Sequence, residues 1–268
     1  MKDHYDFELL TPCFCYGASQ AKTSQPEAEM RIPSIRGQLR RWHTLLYGMD
    51  DMKQTWGTAQ GQVVSSRVIL RLPLQGTASE PQMSQQVLPH VKNGGKAFCR
   101  NALKTGTHYR LLVSFRQMTS EQTRERVDQV IMNWLYLGRV GMRSTRAFGS
   151  IWPQAEKPDW NEFKKTVMIA GRKLAIAVSV RPLQKADLAI CTDTLSARIN
   201  ERYFGYVHGR ERLTSPLKMK YIRLADGLHL MLHATSGEII SGALKLLSDA
   251  NKPLGKMEFR MISDGMRR

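Results

Sequence analysis

The chain has 268 residues, 42% of them apolar, enough to bury the core of one large domain or two small ones packed together. Lys and Arg number 40 against 23 Asp and Glu, a net charge of +17 that points to a polyanionic partner. No apolar run reaches membrane-spanning length, and Lys2, Asp3, Asp6 and Glu8 exclude the apolar segment of a secretory signal, so nucleic acid in the cytoplasm is expected rather than a membrane.

The first element is a strand over 4–10, where Tyr5, Phe7 and Leu9 alternate with Asp6 and Glu8 before Thr11-Pro12 ends it. Residues 17–29 are polar, carry no apolar period, and read as a loop. Ile35, Leu39, Trp42 and Leu46 then mark one face of a helix with Ser34 as N-cap and Gly48 as its stop. Arg36, Arg40, His43 and Tyr47 form the adjoining stripe and are expected to reach outward, with Arg41 solvated on the far side.

Alternation predicts a strand over 63–72, an irregular insertion over about 75–107, and a strand over 109–116 with Leu111, Val113 and Phe115 on one face. Thr119 reads as the cap of a second helix, with Gln122 as capping-box partner and Val127, Val130, Ile131, Trp134 and Leu135 as its buried stripe. It ends at Gly138, and a glycine-arginine segment over 138–150 leads into a strand at Ile151-Trp152. Strand, helix, strand, strand, helix, strand is the order of a ferredoxin-like (RRM-like) α+β unit over 1–155. Strands over 173–180, 228–234 and 257–262 and a helix from Ser236 to Leu247 read as a second, reduced copy over 156–268.

The segment 138–150 carries the strongest chemical signal. Its glycines permit close backbone approach, and Arg139, Arg143 and Arg146 supply planar cationic forks suited to phosphates. It has neither the Gly-Lys-Ser/Thr of a phosphate-binding loop nor a following helix. The expected RNA contacts are Gly138, Arg139, Gly141, Arg143, Ser144, Arg146 and Gly149 here, with Arg36, Arg40 and His43 on the first helix. The strand over 109–116 lacks the aromatic signature of free-standing RRM domains, so RNA is expected on loops and helix with the sheet face covered by protein; Trp42, Trp134 and Trp152 read as core.

This segment resembles the glycine-rich loop of the RAMP superfamily of CRISPR RNA-binding proteins. The stretches Leu9-Leu10-Thr11-Pro12, Arg31-Ile32-Pro33-Ser34-Ile35-Arg36-Gly37 and Arg212-Leu213-Thr214-Ser215-Pro216-Leu217 are most similar to the head-subunit family of the type III-B (Cmr) effector complex. The resemblance implies a non-catalytic subunit of a multi-subunit filament, touching guide RNA and target RNA beside other CRISPR effector subunits. The chain is compact for that family and its 17–29 loop is undistinguished, which keeps a backbone-type subunit open.

The rival reading is a RAMP endoribonuclease, with His43 as general base beside Arg40, or with Asp50-Asp51 as target-cleaving carboxylates; Glu27 and Glu29 lack the spacing of a metal site. A general RNA chaperone is a third. Cys13 and Cys15 lack C-x-x-C spacing, so no metal or cofactor is expected and Cys13, Cys15, Cys99 and Cys191 read as buried thiols, with a site formed by Cys13, Cys15, Cys191 or His208 left open. His229 and His233 share one face of a strand and read as structural.

Overall fold

The computed structural model describes residues 2–17, 26–73, 80–87, 99–192, 201–208 and 211–265; parts of the 17–29 loop and of the 75–107 insertion lie outside them. The first sheet is built from β1 (His4–Leu9), β2 (Val68–Arg71), β5 (His108–Phe115) and β6 (Ile151–Pro153), all antiparallel, in the order β2-β5-β1-β6. Between β1 and β2 come α1 (Ile32–Tyr47) and α2 (Met49–Trp56); between β2 and β5 lies the hairpin β3 (Gln82–Gln86) and β4 (Cys99–Leu103); α3 (Glu121–Leu137) precedes β6.

Alternation in β1 turns Tyr5, Phe7 and Leu9 to the helices, where Phe7 stacks on Tyr109 with centroids 5.3 Å apart and meets Trp134 of α3 edge-on at 5.6 Å. Ile35, Leu39, Trp42 and Leu46 of α1 and Val127, Val130, Ile131 and Trp134 of α3 close this core. Each of these large side chains contributes about 1.5–3 kcal/mol by leaving water. On the opposite face His108, Arg110, Leu112 and Ser114 of β5 are exposed in this chain and Arg110 clasps Asp6 at 2.7 and 2.9 Å, whereas Glu8 of β1 is buried and paired with Arg223.

The second half follows α4 (Trp160–Gly171), which opens on an Asp159/Glu162 capping box. β7 (Ala175–Ser179), α5 (Leu188–Thr192), α6 (Glu201–Phe204) and the hairpin β8 (Tyr206–His208) and β9 (Glu211–Leu213) come next. Then follow β10 (Lys218–Leu224), β11 (Gly227–Ala234), α7 (Gly237–Asp249) and β12 (Phe259–Asp264). The second sheet runs β10-β11-β7-β12, again antiparallel, so both sheets place their four strands in the same order along the chain.

Several boundaries differ from the sequence reading. α1 starts at Ile32, with Pro33 in its first turn, so Ser34 lies inside the helix and accepts from the Cys15 thiol at 3.5 Å instead of capping. Ser120, not Thr119, caps α3, accepting from the Thr123 amide at 3.3 Å. The strand expected from residue 63 begins at Val68, because Val64 bridges back to Thr58 across the turn that holds Gly61. Asp50 and Asp51 sit in α2, and the second sheet has a strand, β10, that the sequence reading did not find. Trp134 and Trp152 are wholly buried and Trp42 nearly so, His229 and His233 are buried in β11, and Cys99 is the exposed cysteine. Among the described residues no helix is long and apolar enough to cross a membrane.

Candidate nucleic-acid interface

The glycine-arginine segment is a folded wedge. Backbone at positive φ recurs at Gly141 (86°), Arg143 (54°), Ala147 (64°) and Gly149 (59°). Side chains have no room at the glycines: a Cβ on Gly149 would lie 1.9 Å from the Val140 carbonyl oxygen, and one on Gly141 2.6 Å from that of Phe14. The wedge is tied to the end of β1, since Gly149 N donates to Pro12 O at 2.8 Å, Met142 N to Phe14 O at 2.8 Å, and Thr11 Oγ1 to Ala147 O at 2.6 Å.

Its arginines do not point outward together as expected. Arg139 is 7% exposed and donates to Met219 O at 2.9 Å. Arg146 is 3% exposed, donates to Ser215 Oγ at 3.0 Å and Phe204 O at 2.9 Å, and lies 5.0 Å over the Phe204 ring. Burial lowers their pKa values to about 9 and about 10. The cause of the inward turn is the supply of backbone carbonyls from the second half, which the first half cannot signal in its own sequence. Arg143 and Ser144 remain half-buried at the surface, Gly138 is packed against Trp134, and Ser150 Oγ accepts from Tyr221 N at 3.1 Å.

The stripe on α1 is likewise covered, by α2 and the turn behind it. Arg36 donates to Ser66 Oγ at 3.0 Å, and Arg40 to Gly57 O at 2.5 Å and Trp56 O at 3.2 Å. His43 is fully buried: its Nδ1 accepts from Trp56 Nε1 at 3.0 Å, which leaves the proton on Nε2 to donate to Asp51 Oδ1 at 2.6 Å. Arg126 holds the other carboxylate oxygen of Asp51. Desolvation lowers the His43 pKa against the pull of Asp51. His43 is thus held from both ring nitrogens inside the fold, while Asp51, its side chain 28% exposed, is shared between His43 and Arg126. Asp50 is exposed in the first turn of α2, and Glu29 pairs with Arg31 at 3.2 Å.

Among the described residues no group of three or more His, Cys, Asp or Glu side chains is placed to hold a metal ion. The buried thiols interact, Cys15 falling to about 7 through its hydrogen bond with Cys13, while Cys13 is raised.

Sequence reasoning missed a cavity of about 450 Å³ between α1 and the second sheet. Arg41, which was expected to be merely solvated, lines it with Arg139, Lys218 and His233; Trp42, Leu45, Met49 and Leu174 form an apolar wall. Burial, together with Arg41 and Arg139, lowers the Lys218 pKa to about 7. Lys220, one turn of the pleat away, is wholly buried, donates to Leu135 O at 2.5 Å and sits 5.7 Å from the Trp152 ring. Two lysines at alternate positions of an apolar stretch were the available signal.

The architecture is a mixed α/β chain of antiparallel sheets. The chain has the fold of Cmr1 from Pyrococcus furiosus in its apo form, with 16% identity over 97% of this chain and 98% of that one at a TM-score of 0.62. It is also similar to a chain of the type III-B Cmr-beta complex bound to cognate target RNA, with 9% identity over 92% of this chain and 98% of that one at a TM-score of 0.60. No protein-family model matches the sequence, and no curated protein matches it.

Proposed function

We propose that the chain is a non-catalytic RNA-binding subunit of a type III CRISPR effector ribonucleoprotein, contacting the guide RNA, the target RNA or both beside other effector subunits. The observation that carries this reading is the likeness to Cmr1 along nearly the whole of both chains. The charge of +17 supports RNA as the partner. The burial of His43, with both ring nitrogens held by Asp51 and Trp56, supports a binding rather than a cutting role. The shared strand order of the two sheets, 4-1-3-2 when each set is numbered along the chain, supports reading residues 1–155 and 156–268 as two ferredoxin-like units.

The test is a titration of a single-stranded guide-length RNA with the purified chain at several salt concentrations, followed by incubation of the same RNA without metal. Binding that weakens steeply with salt, with the RNA left intact, is expected. Absence of binding at low salt would remove the reading; metal-free cleavage abolished by His43→Ala would replace it with the endoribonuclease.

A further inference from the structure

We propose that the cavity between α1 and the second sheet is a binding site for one nucleotide unit, its phosphate held by Arg41, Arg139 and Lys218 and its base laid against Trp42 and Leu45. This deepens the RNA-binding reading and rests on it for the source of the nucleotide.

Three observations carry it. The cavity gathers three cations and no carboxylate appears among the residues that line it. Like charges a few ångströms apart in partly dry surroundings repel by energies on the order of kcal/mol, a cost that a bound anion reverses. His233 in the same wall is 3% exposed, and neither ring nitrogen has a hydrogen-bond partner; the Arg139 Nε is also buried without one. Buried polar groups of this kind are as a rule satisfied, so their donors and acceptor ask for a ligand.

The third observation separates a nucleotide from a bare phosphate. Trp42, Leu45, Met49 and Leu174 give the cavity apolar lining beside its cations, and Gln38, Thr44 and Thr235 add neutral hydrogen-bonding groups. A nucleotide carries all three kinds of surface, an anion, hydroxyls and a flat apolar ring, whereas phosphate carries the first alone. The volume falls in the range of small-ligand sites. The nucleotide comes either from solution or from an unstacked position of a bound RNA strand.

Isothermal titration of the full chain with AMP, adenosine and inorganic phosphate tests the site, and AMP is expected to bind more tightly than either fragment. Lys218→Met and the exposed Arg41→Gln should each weaken AMP by roughly tenfold or more, with the circular dichroism spectrum unchanged. AMP no tighter than inorganic phosphate, or AMP binding indifferent to both variants, overturns the proposal. A parallel titration with a short single-stranded RNA identifies the source: competition by AMP, and weakening by the same variants, assigns the site to the strand, whereas AMP binding without competition assigns it to free nucleotide. RNA binding with no AMP binding, untouched by the variants, removes the cavity and leaves the RNA-binding reading standing; no RNA binding at all removes that reading by itself.

Discussion

Arg146 reaches across 69 residues of chain to donate to Ser215 Oγ at 3.0 Å, joining the glycine-rich wedge to the Ser-Pro turn that precedes β10. Thr11 holds the same wedge from the other side through Ala147 O. Three stretches that stand far apart in the sequence therefore meet at one junction, and their chemistry there is mainly architectural.

Arg146→Met keeps most of the volume but strands the Phe204 carbonyl and takes the charged donor from Ser215 Oγ, whose own proton stays with Leu217 O. Bonds from a charged donor contribute about 1.5–3 kcal/mol, so a loss of roughly 2–4 kcal/mol is expected in urea denaturation. A loss below about 1 kcal/mol would mean that the junction holds without this guanidinium.

The wedge divides into buried and accessible cations, and salt separates them. Arg143→Gln should reduce the slope of log affinity for single-stranded RNA against log salt by about 0.7, the share of one phosphate contact. Arg146→Gln should lower the denaturation midpoint while leaving that slope alone, because its side chain is spent on Ser215 Oγ and Phe204 O. Equal slope changes in both variants would contradict the inward placement of Arg146.

Gly149 and Gly37 should respond oppositely to a methyl group. Gly149→Ala forces a left-handed alanine against the Val140 carbonyl and should cost about 2–4 kcal/mol. Gly37→Ala, inside α1 with open space around it, should stabilise by about 0.5–1 kcal/mol through helix propensity alone. Thermal melts of the two variants check both signs at once.

Acid should destabilise the fold before its carboxylates titrate. Burial lowers the pKa values of His43 and His233 below the ordinary histidine value. The unfolded chain then binds protons that the folded chain refuses as pH falls through about 6.5. The contribution of these two histidines is complete above that pH and declines below it, by at most about 1.4 kcal/mol per pH unit for each. Urea midpoints at pH 7.5 and 5.5 measure the decline, and His233→Leu should reduce it; a midpoint that does not move would show that these rings are protonated in the native state.

The elements legible in the sequence are those with one face in the core. Tyr5, Phe7 and Leu9 in β1, Leu111 and Val113 in β5, and the stripes of α1 and α3 alternate cleanly because their opposite faces meet water or polar groups. β10 escaped because Lys218 and Lys220 are drawn inward by neighbours that no local pattern announces, Lys220 by the Leu135 carbonyl. The polar hairpin of β3 and β4 has no apolar period to read. The stripe of Arg36, Arg40 and His43 is legible in the spacing, but its cover, α2, opens on Gly48 and carries in its first turn Asp50 and Asp51, a pair that reads as a turn. An arginine suits a phosphate or a backbone carbonyl equally well by composition, so only the tertiary arrangement separates Arg143 from Arg139 and Arg146.

The acceptors of Arg139 and Arg146 belong to residues 204–219, and Ser150 waits for the amide of Tyr221. A ribosome that has just released the N-terminal sheet has thus delivered guanidinium groups whose native partners are still untranslated. The wedge, unlike the sheet beside it, thus gains its last partners only once residues 204–221 have been made, however faithfully one half repeats the strand order of the other.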